Sequence, residues 1–106
     1  MKADTDTSRM AKALSALGHE ARLSLYRLLV RAGEQGLNVG EISAQLAIPP
    51  STLAHHIKAL VDAGLVVQGK QGREVINKPD FAMMNATVSF LTEECCHGVA
   101  SKVDAA

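Results

Sequence analysis

The feature that most constrains this chain lies between Leu37 and Asn77. Two short amphipathic helical segments meet there at a proline pair, and the apolar rhythm then switches from a period of 3.6 residues to a period of 2. Leu37-Asn38-Val39-Gly40-Glu41-Ile42 opens the first segment. Asn38 is an N-cap candidate, Glu41 stands three residues on as in a capping box, and Leu37 can staple onto Ile42. This helix is expected over residues 38–47, with Ile42 and Leu46 facing inward. Ile48-Pro49-Pro50 breaks it, and Pro50 suits the first position of a second helix, expected over residues 50–63 and closed by Gly64. On that helix Leu53, Ile57, Leu60 and Val61 share one side. Ser51, His55, Lys58, Ala59 and Asp62 share the other, with Thr52 on its edge. Short strands over residues 65–68 and 73–77 follow, around a basic, glycine-flanked tip at 69–72.

The flanks complete one domain. Met10, Leu14 and Leu17 mark a helix over residues 8–17, and Ala21, Leu25, Leu28 and Leu29 mark another over 19–32, ended by Gly33. A last helix opens with Asp80 as N-cap and is expected to reach Cys96, with Phe81, Met84, Val88 and Leu91 on one stripe and Met83 and Phe90 widening it. Residues 1–7 and 98–106 are expected to be flexible, leaving 8–97 as the folded unit. The element order ααααββα, mostly α with a small β-hairpin wing, spells a winged helix-turn-helix.

Composition narrows the function classes. With 106 residues there is room for one core, and aromatics at 3% with no Trp argue against a β-sandwich and against stacking platforms for single-stranded nucleic acid. Eleven basic residues balance eleven acidic ones, so charge gathers only locally. Lys58, Lys70 and Arg73 face Asp62 as the sole acid within residues 50–73. Catalysis is not expected: a nucleophilic cysteine needs a nearby base, only His97 is close in sequence, and no phosphate loop, Ser-His-Asp set or metal-hydrolase motif appears. The N-terminus has no apolar leader and no run approaches the ~18 residues that span a bilayer, so no membrane partner is expected. Cys95 and Cys96 are adjacent and cannot staple distant segments, which fits a reducing cytoplasm.

A recognition helix needs an apolar back and a short-chain polar front that reaches base edges in the major groove. Ser51, Thr52, His55 and Lys58 are the candidate contacts to double-stranded DNA, with Lys70 and Arg73 of the wing on phosphates. The bland alternatives are a solvated helix face and a hairpin kept soluble by its charges. His56 flanks the apolar stripe and reads as a packing residue. The last helix is apolar around too much of its girth for so small a chain to cover, which points to a homodimer with Met84, Val88 and Leu91 on its seam.

Two stretches resemble a known family. Ala13-Leu14-Ser15-Ala16-Leu17-Gly18-His19-Glu20-Ala21-Arg22-Leu23 is similar to the opening segment of the ArsR/SmtB (arsenic-repressor-like) transcription factors. The run from Ser51 to Val66 resembles their recognition segment, and Gly72-Arg73 their wing. The resemblance implies a homodimer that is formed by the first and last helices, which adds Met10 and Leu14 to the seam, and that sits on palindromic operator DNA and leaves when an effector binds. Residues 37–43 lack the Cys-x-Cys of one sensor type, and the last helix lacks the Asp/His and His/Glu pairs of zinc sensors. Glu93-Glu94-Cys95-Cys96-His97 instead resembles a subtype whose adjacent cysteines, with a third a few residues on, bind As(III). Lys102 stands about where that third cysteine would fall. The implied effector is As(III), Sb(III) or a trivalent organoarsenical at Cys95 and Cys96, with no resident cofactor required. A redox or persulfide switch at the same cysteines and inert surface thiols remain open beside it. The preceding glutamates and a helix C-terminus both disfavour a thiolate.

Overall fold

The computed structural model describes residues 2–100. The elements run α1 (Lys2–Leu17), α2 (Glu20–Ala32), a 3-10 turn (Gly33–Gln35), α3 (Val39–Leu46), α4 (Pro50–Asp62), β1 (Val66–Gln71), β2 (Glu74–Pro79) and α5 (Phe81–Thr92). This is the winged helix-turn-helix order that the sequence predicts. One core joins the helices: Met10, Ala13 and Ala16 from α1 meet Leu25, Tyr26 and Leu29 from α2, Ile42 from α3, and Leu53, Ile57 and Leu60 from α4. Leu65, Val66 and Met83 close it from the wing and α5. Leu53 and Leu60 have no exposed surface, so truncating either to Ala costs roughly 2–5 kcal/mol.

Three boundaries differ from the sequence expectation. Helix α1 begins at Lys2, within the stretch expected to be flexible, because a polar segment without apolar residues at helical spacing leaves no rhythm to read. The hairpin is longer than expected and turns later: Gln71 pairs with Glu74, leaving a two-residue turn at Gly72-Arg73. Gly72 has φ +67°, the left-handed first position that a type II′ turn requires. Lys70 therefore sits within β1, opposite Val75, and Arg73 alone of the two cations occupies the tip. Finally, α5 ends at Thr92, four residues before Cys96. Glu93 and Glu94 lie at the negative end of the helix dipole, where carboxylates are unfavourable, and the chain turns off there. The tail expected over 98–106 lies outside the described residues from position 101 onward, Lys102 included.

The root of the wing is fixed by a bridge that adds Leu37 to the sheet. Leu37 and Asn77 exchange both backbone hydrogen bonds, at 2.9 and 2.8 Å. The fully buried Asn77 side chain donates from Nδ2 to the Leu37 carbonyl at 3.2 Å and accepts at Oδ1 from Gln68 Nε2 at 2.8 Å. Gly36 makes the close approach possible. A Cβ there would stand 2.6 Å from both the Asn77 carbonyl oxygen and Ile76 Cγ2.

Candidate DNA-binding face and thiol pair

The entry to α3 is capped as its sequence predicts. Asn38 Oδ1 accepts from the Glu41 amide at 2.8 Å, and Glu41 Oε1 accepts from the Asn38 amide at 2.9 Å. Asn38 Nδ2 also donates to Glu74 Oε1 at 2.6 Å, which ties the start of α3 to the wing. At the other end Ala47 adopts the left-handed conformation with φ 55°, and Ser43 Oγ donates to the Ile48 carbonyl at 2.7 Å. Pro49 and Pro50 then set the first turn of α4. The turn between the two helices is thus held from both sides, and the orientation of α4 follows from it.

Helix α4 buries Leu53, Ile57 and Leu60 and leaves Ser51, Thr52, His55 and Lys58 exposed on the opposite side. Lys58 Nζ lies 3.2 Å from Asp62 Oδ2, an exposed pair of little energetic weight that a nearby phosphate can break. Lys70 and Arg73 are exposed on the hairpin. The four α4 residues are brought onto one face, and the two wing cations onto the element that follows directly.

A cluster absent from the sequence reading anchors α4 from behind. Arg22 Nε donates to His56 Nδ1 at 3.3 Å, and the His19 and His56 rings lie 4.9 Å apart at a tilt of 53°. Burial pushes the His56 pKa below the usual imidazole value, with the neighbouring His19, Arg22 and His55 charges acting in the same direction. An acceptor Nδ1 places the neutral ring's proton on Nε2. His56 is thereby the packing residue that its position beside the apolar stripe suggests, but its partners are 34 and more residues away and carry no local signal.

Asp80 caps α5, accepting from the Met83 amide at 3.0 Å, and Thr87 Oγ1 donates to the Met83 carbonyl at 2.8 Å. Met83 and Thr87 face the core, whereas Val88 and Leu91 are 60% and 63% exposed and Met84 is half-buried. Leu14 on α1 is also exposed. Met10 is the exception among the expected seam residues. At 3% exposure it belongs to the chain's own core and has almost no surface to give a partner.

Beyond α5 the chain turns through residues 93–96, with the Cys95 amide donating to the Thr92 carbonyl at 2.9 Å. Cys96 takes a left-handed φ of 63°. On a regular helix successive side chains diverge by ~100°, yet here the two sulfurs are 3.1 Å apart and exposed. The hydrogen bond between the thiols pushes the Cys95 pKa above its ordinary value. Among the described residues no group of three or more His, Cys, Asp or Glu is placed to hold a metal ion, so the protomer offers two sulfur ligands here.

A helix-turn-helix packed against a capped core, with a hairpin wing and a polar outward face on its second helix, defines a winged helix-turn-helix transcriptional regulator. A family model described as a helix-turn-helix domain matches residues 17–68. An uncharacterized helix-turn-helix transcriptional regulator of Bacillus subtilis is 36% identical over 73 residues, covering 69% of this chain and 71% of that one. A candidate arsenical resistance operon repressor of Halobacterium salinarum is 42% identical over 60 residues, covering 57% of this chain. The chain spans only 46% of that relative's length. Among solved structures, an ArsR-like transcriptional regulator from Rhodococcus sp. RHA1 superposes with a TM-score of 0.71 at 26% identity, covering 82% of this chain and 79% of that one. The chain belongs to the ArsR family of DNA-binding transcriptional regulators. Among the described residues no helix is long and apolar enough to cross a membrane.

Proposed function

We propose that the protein is a homodimeric repressor that leaves its operator when trivalent arsenic or antimony, as arsenite, antimonite or an organoarsenical, is captured by Cys95 and Cys96. The observation that carries this reading is the 3.1 Å approach of two exposed sulfurs, which a helix would have held apart. Soft thiolates select thiophilic metalloids, and two of them suit a trivalent arsenic whose third position already holds a methyl or phenyl group. The naming of the Halobacterium relative for arsenical resistance supports the same effector class.

In this reading Ser51, Thr52, His55 and Lys58 contact the major groove while Lys70 and Arg73 hold phosphates. Two copies pair through a strip of exposed Leu14, Val88 and Leu91 with half-buried Met84. The turn that carries the cysteines follows this strip directly, so a ligand seated there bears on the pairing of the two protomers. Coupling of ~1–3 kcal/mol, a 5–150-fold change in DNA affinity, is typical of such a link.

The experiment is an operator-release titration with arsenite, antimonite, methylarsenite and a persulfide donor, on wild type, Cys95→Ser and Cys96→Ser. Release by arsenite, antimonite or methylarsenite but not by the persulfide donor, lost in both variants, is the expected result. Release by the persulfide donor alone gives the pair to a sulfur-sensing repressor, a reading that the same sulfur approach also accommodates. Release that survives both substitutions removes the cysteines from the switch.

A further inference from the structure

We infer that Cys95 and Cys96 close into a reversible vicinal disulfide within one chain, and that this bond shuts the arsenical site under oxidising conditions. The closing of the site rests on the reading above, whereas the disulfide itself does not.

The sulfurs already stand at 3.1 Å, so closing to the bond length of about 2.05 Å asks for a movement of roughly 1 Å. That movement falls in an exposed turn whose backbone bonds are local, Cys95 to Thr92 and His97 to Glu94. Nothing in the buried set of Met83 and Thr87 needs to shift. The left-handed Cys96 is the backbone distortion that an L-residue rarely adopts, and it is what turns the second thiol back onto the first.

The bond is expected to be labile. Adjacent Cα atoms are about 3.8 Å apart, closer than the roughly 4.4–6.8 Å of ordinary disulfides, so the small ring is strained and easily reduced. A low-molecular-weight disulfide such as oxidised glutathione is a sufficient oxidant. One cysteine sulfur attacks it, forming a mixed disulfide and expelling one thiol; the neighbouring sulfur attacks the mixed disulfide and expels the second. The protein loses two protons and two electrons, and the oxidant gains both as two free thiols. With the two sulfurs joined in an S–S bond, neither can ionise, and no thiolate is left for arsenic. The oxidised chain gains no bulky group, so the oxidised protein still holds DNA and is deaf to the effector.

The test incubates the reduced full chain with oxidised glutathione and follows intact mass, non-reducing electrophoresis, phenylarsine oxide binding and retardation of its own promoter DNA. The expected product is a single chain lighter by two hydrogens that retards DNA as before, no longer binds phenylarsine oxide, and recovers with dithiothreitol. Cys95→Ser and Cys96→Ser, which lack the second thiol, accumulate the glutathione adduct instead. A stable adduct or an interchain-linked dimer from the wild type overturns the inference, as does release of DNA by oxidation alone. Phenylarsine oxide binding to the reduced chain is scored separately. Its absence refutes the arsenical reading while the mass result still decides the disulfide.

Discussion

Arg22 on α2 donates through Nε to Nδ1 of His56 on α4 at 3.3 Å, so the recognition helix is tethered by a bond that only a neutral imidazole can accept. The bond joins the helix bearing the candidate DNA contacts to the opening of α2, where His19 also packs against the same ring.

Acid is therefore expected to loosen this tether. The folded-state pKa of His56 is depressed, first by burial and then by His19, Arg22 and His55, so below the ordinary imidazole value of about 6.5 the unfolded chain binds a proton that the folded chain resists. The tether contributes fully above that value and is lost as pH falls through and below it. Urea midpoints measured on both sides of this pH should diverge for wild type and converge for His56→Gln, whose amide oxygen can still accept from Arg22. An equal acid slope in both proteins would place the sensitivity elsewhere.

Tyr26 offers a second stability test. Its hydroxyl is buried with no hydrogen-bond partner among the described residues, and burial, reinforced by the Asp80 charge, pushes its pKa up to about 12. Removing an unsatisfied hydroxyl relieves a desolvation cost, so Tyr26→Phe should leave stability unchanged or raise it by up to about 1 kcal/mol. Because the folded pKa is raised, wild type also loses stability as pH climbs from the ordinary tyrosine value of about 10 toward 12, and the Phe variant should lose less. A destabilised variant in thermal melts would mean that the hydroxyl has a partner.

For the wing, Arg73→Ala should weaken binding to all DNA sequences alike and reduce the slope of log affinity against log salt by about one for each phosphate no longer neutralised. Lys70 stands on the strand, not the turn, so Lys70→Ala should have the smaller effect. Substituting His55 or Thr52 should instead change which sequences are preferred. If the double variant of Lys70 and Arg73 keeps full operator affinity and an unchanged salt slope, the hairpin does not touch DNA.

The seam is tested by Leu91→Glu. Its side chain is 63% exposed in the single protomer, so a carboxylate there costs the isolated fold little. In an apolar dimer seam the same carboxylate lies unpaired and costs several kcal/mol. Sedimentation should show folded monomers with weak operator binding. Dimers that persist would move the seam to α1.

How much of the molecule is legible in the chain depends on how local each determinant is. The box at Asn38 and Glu41 and the cap at Asp80 close within three residues, and both appear as expected. The apolar back of α4 follows from spacing alone. The hairpin turns later than expected because Gly69 and Gly72 are equivalent as residues, and the register is pinned by Leu37 and Asn77, forty residues apart. Helix α5 stops earlier than expected because Gly98 is the usual stop signal, whereas the chain leaves the helix at Thr92 with Cys96 in the left-handed role. The Arg22–His56 tether has no signature at all, since arginine and histidine at those spacings occur on any helix.

The Leu37–Asn77 bridge has an evolutionary consequence. Its buried amide, the close-packed Gly36 and the doubled carbonyl of Leu37 make the base of the hairpin a fixed pivot where neither insertion nor bulkier side chains fit. The far end, two residues at Gly72-Arg73 with open space around the glycine, has no such tie. Descendants of this chain can therefore lengthen or shorten the hairpin by matched residue pairs at its tip, changing its reach along DNA, while the helix-turn-helix beneath keeps its geometry.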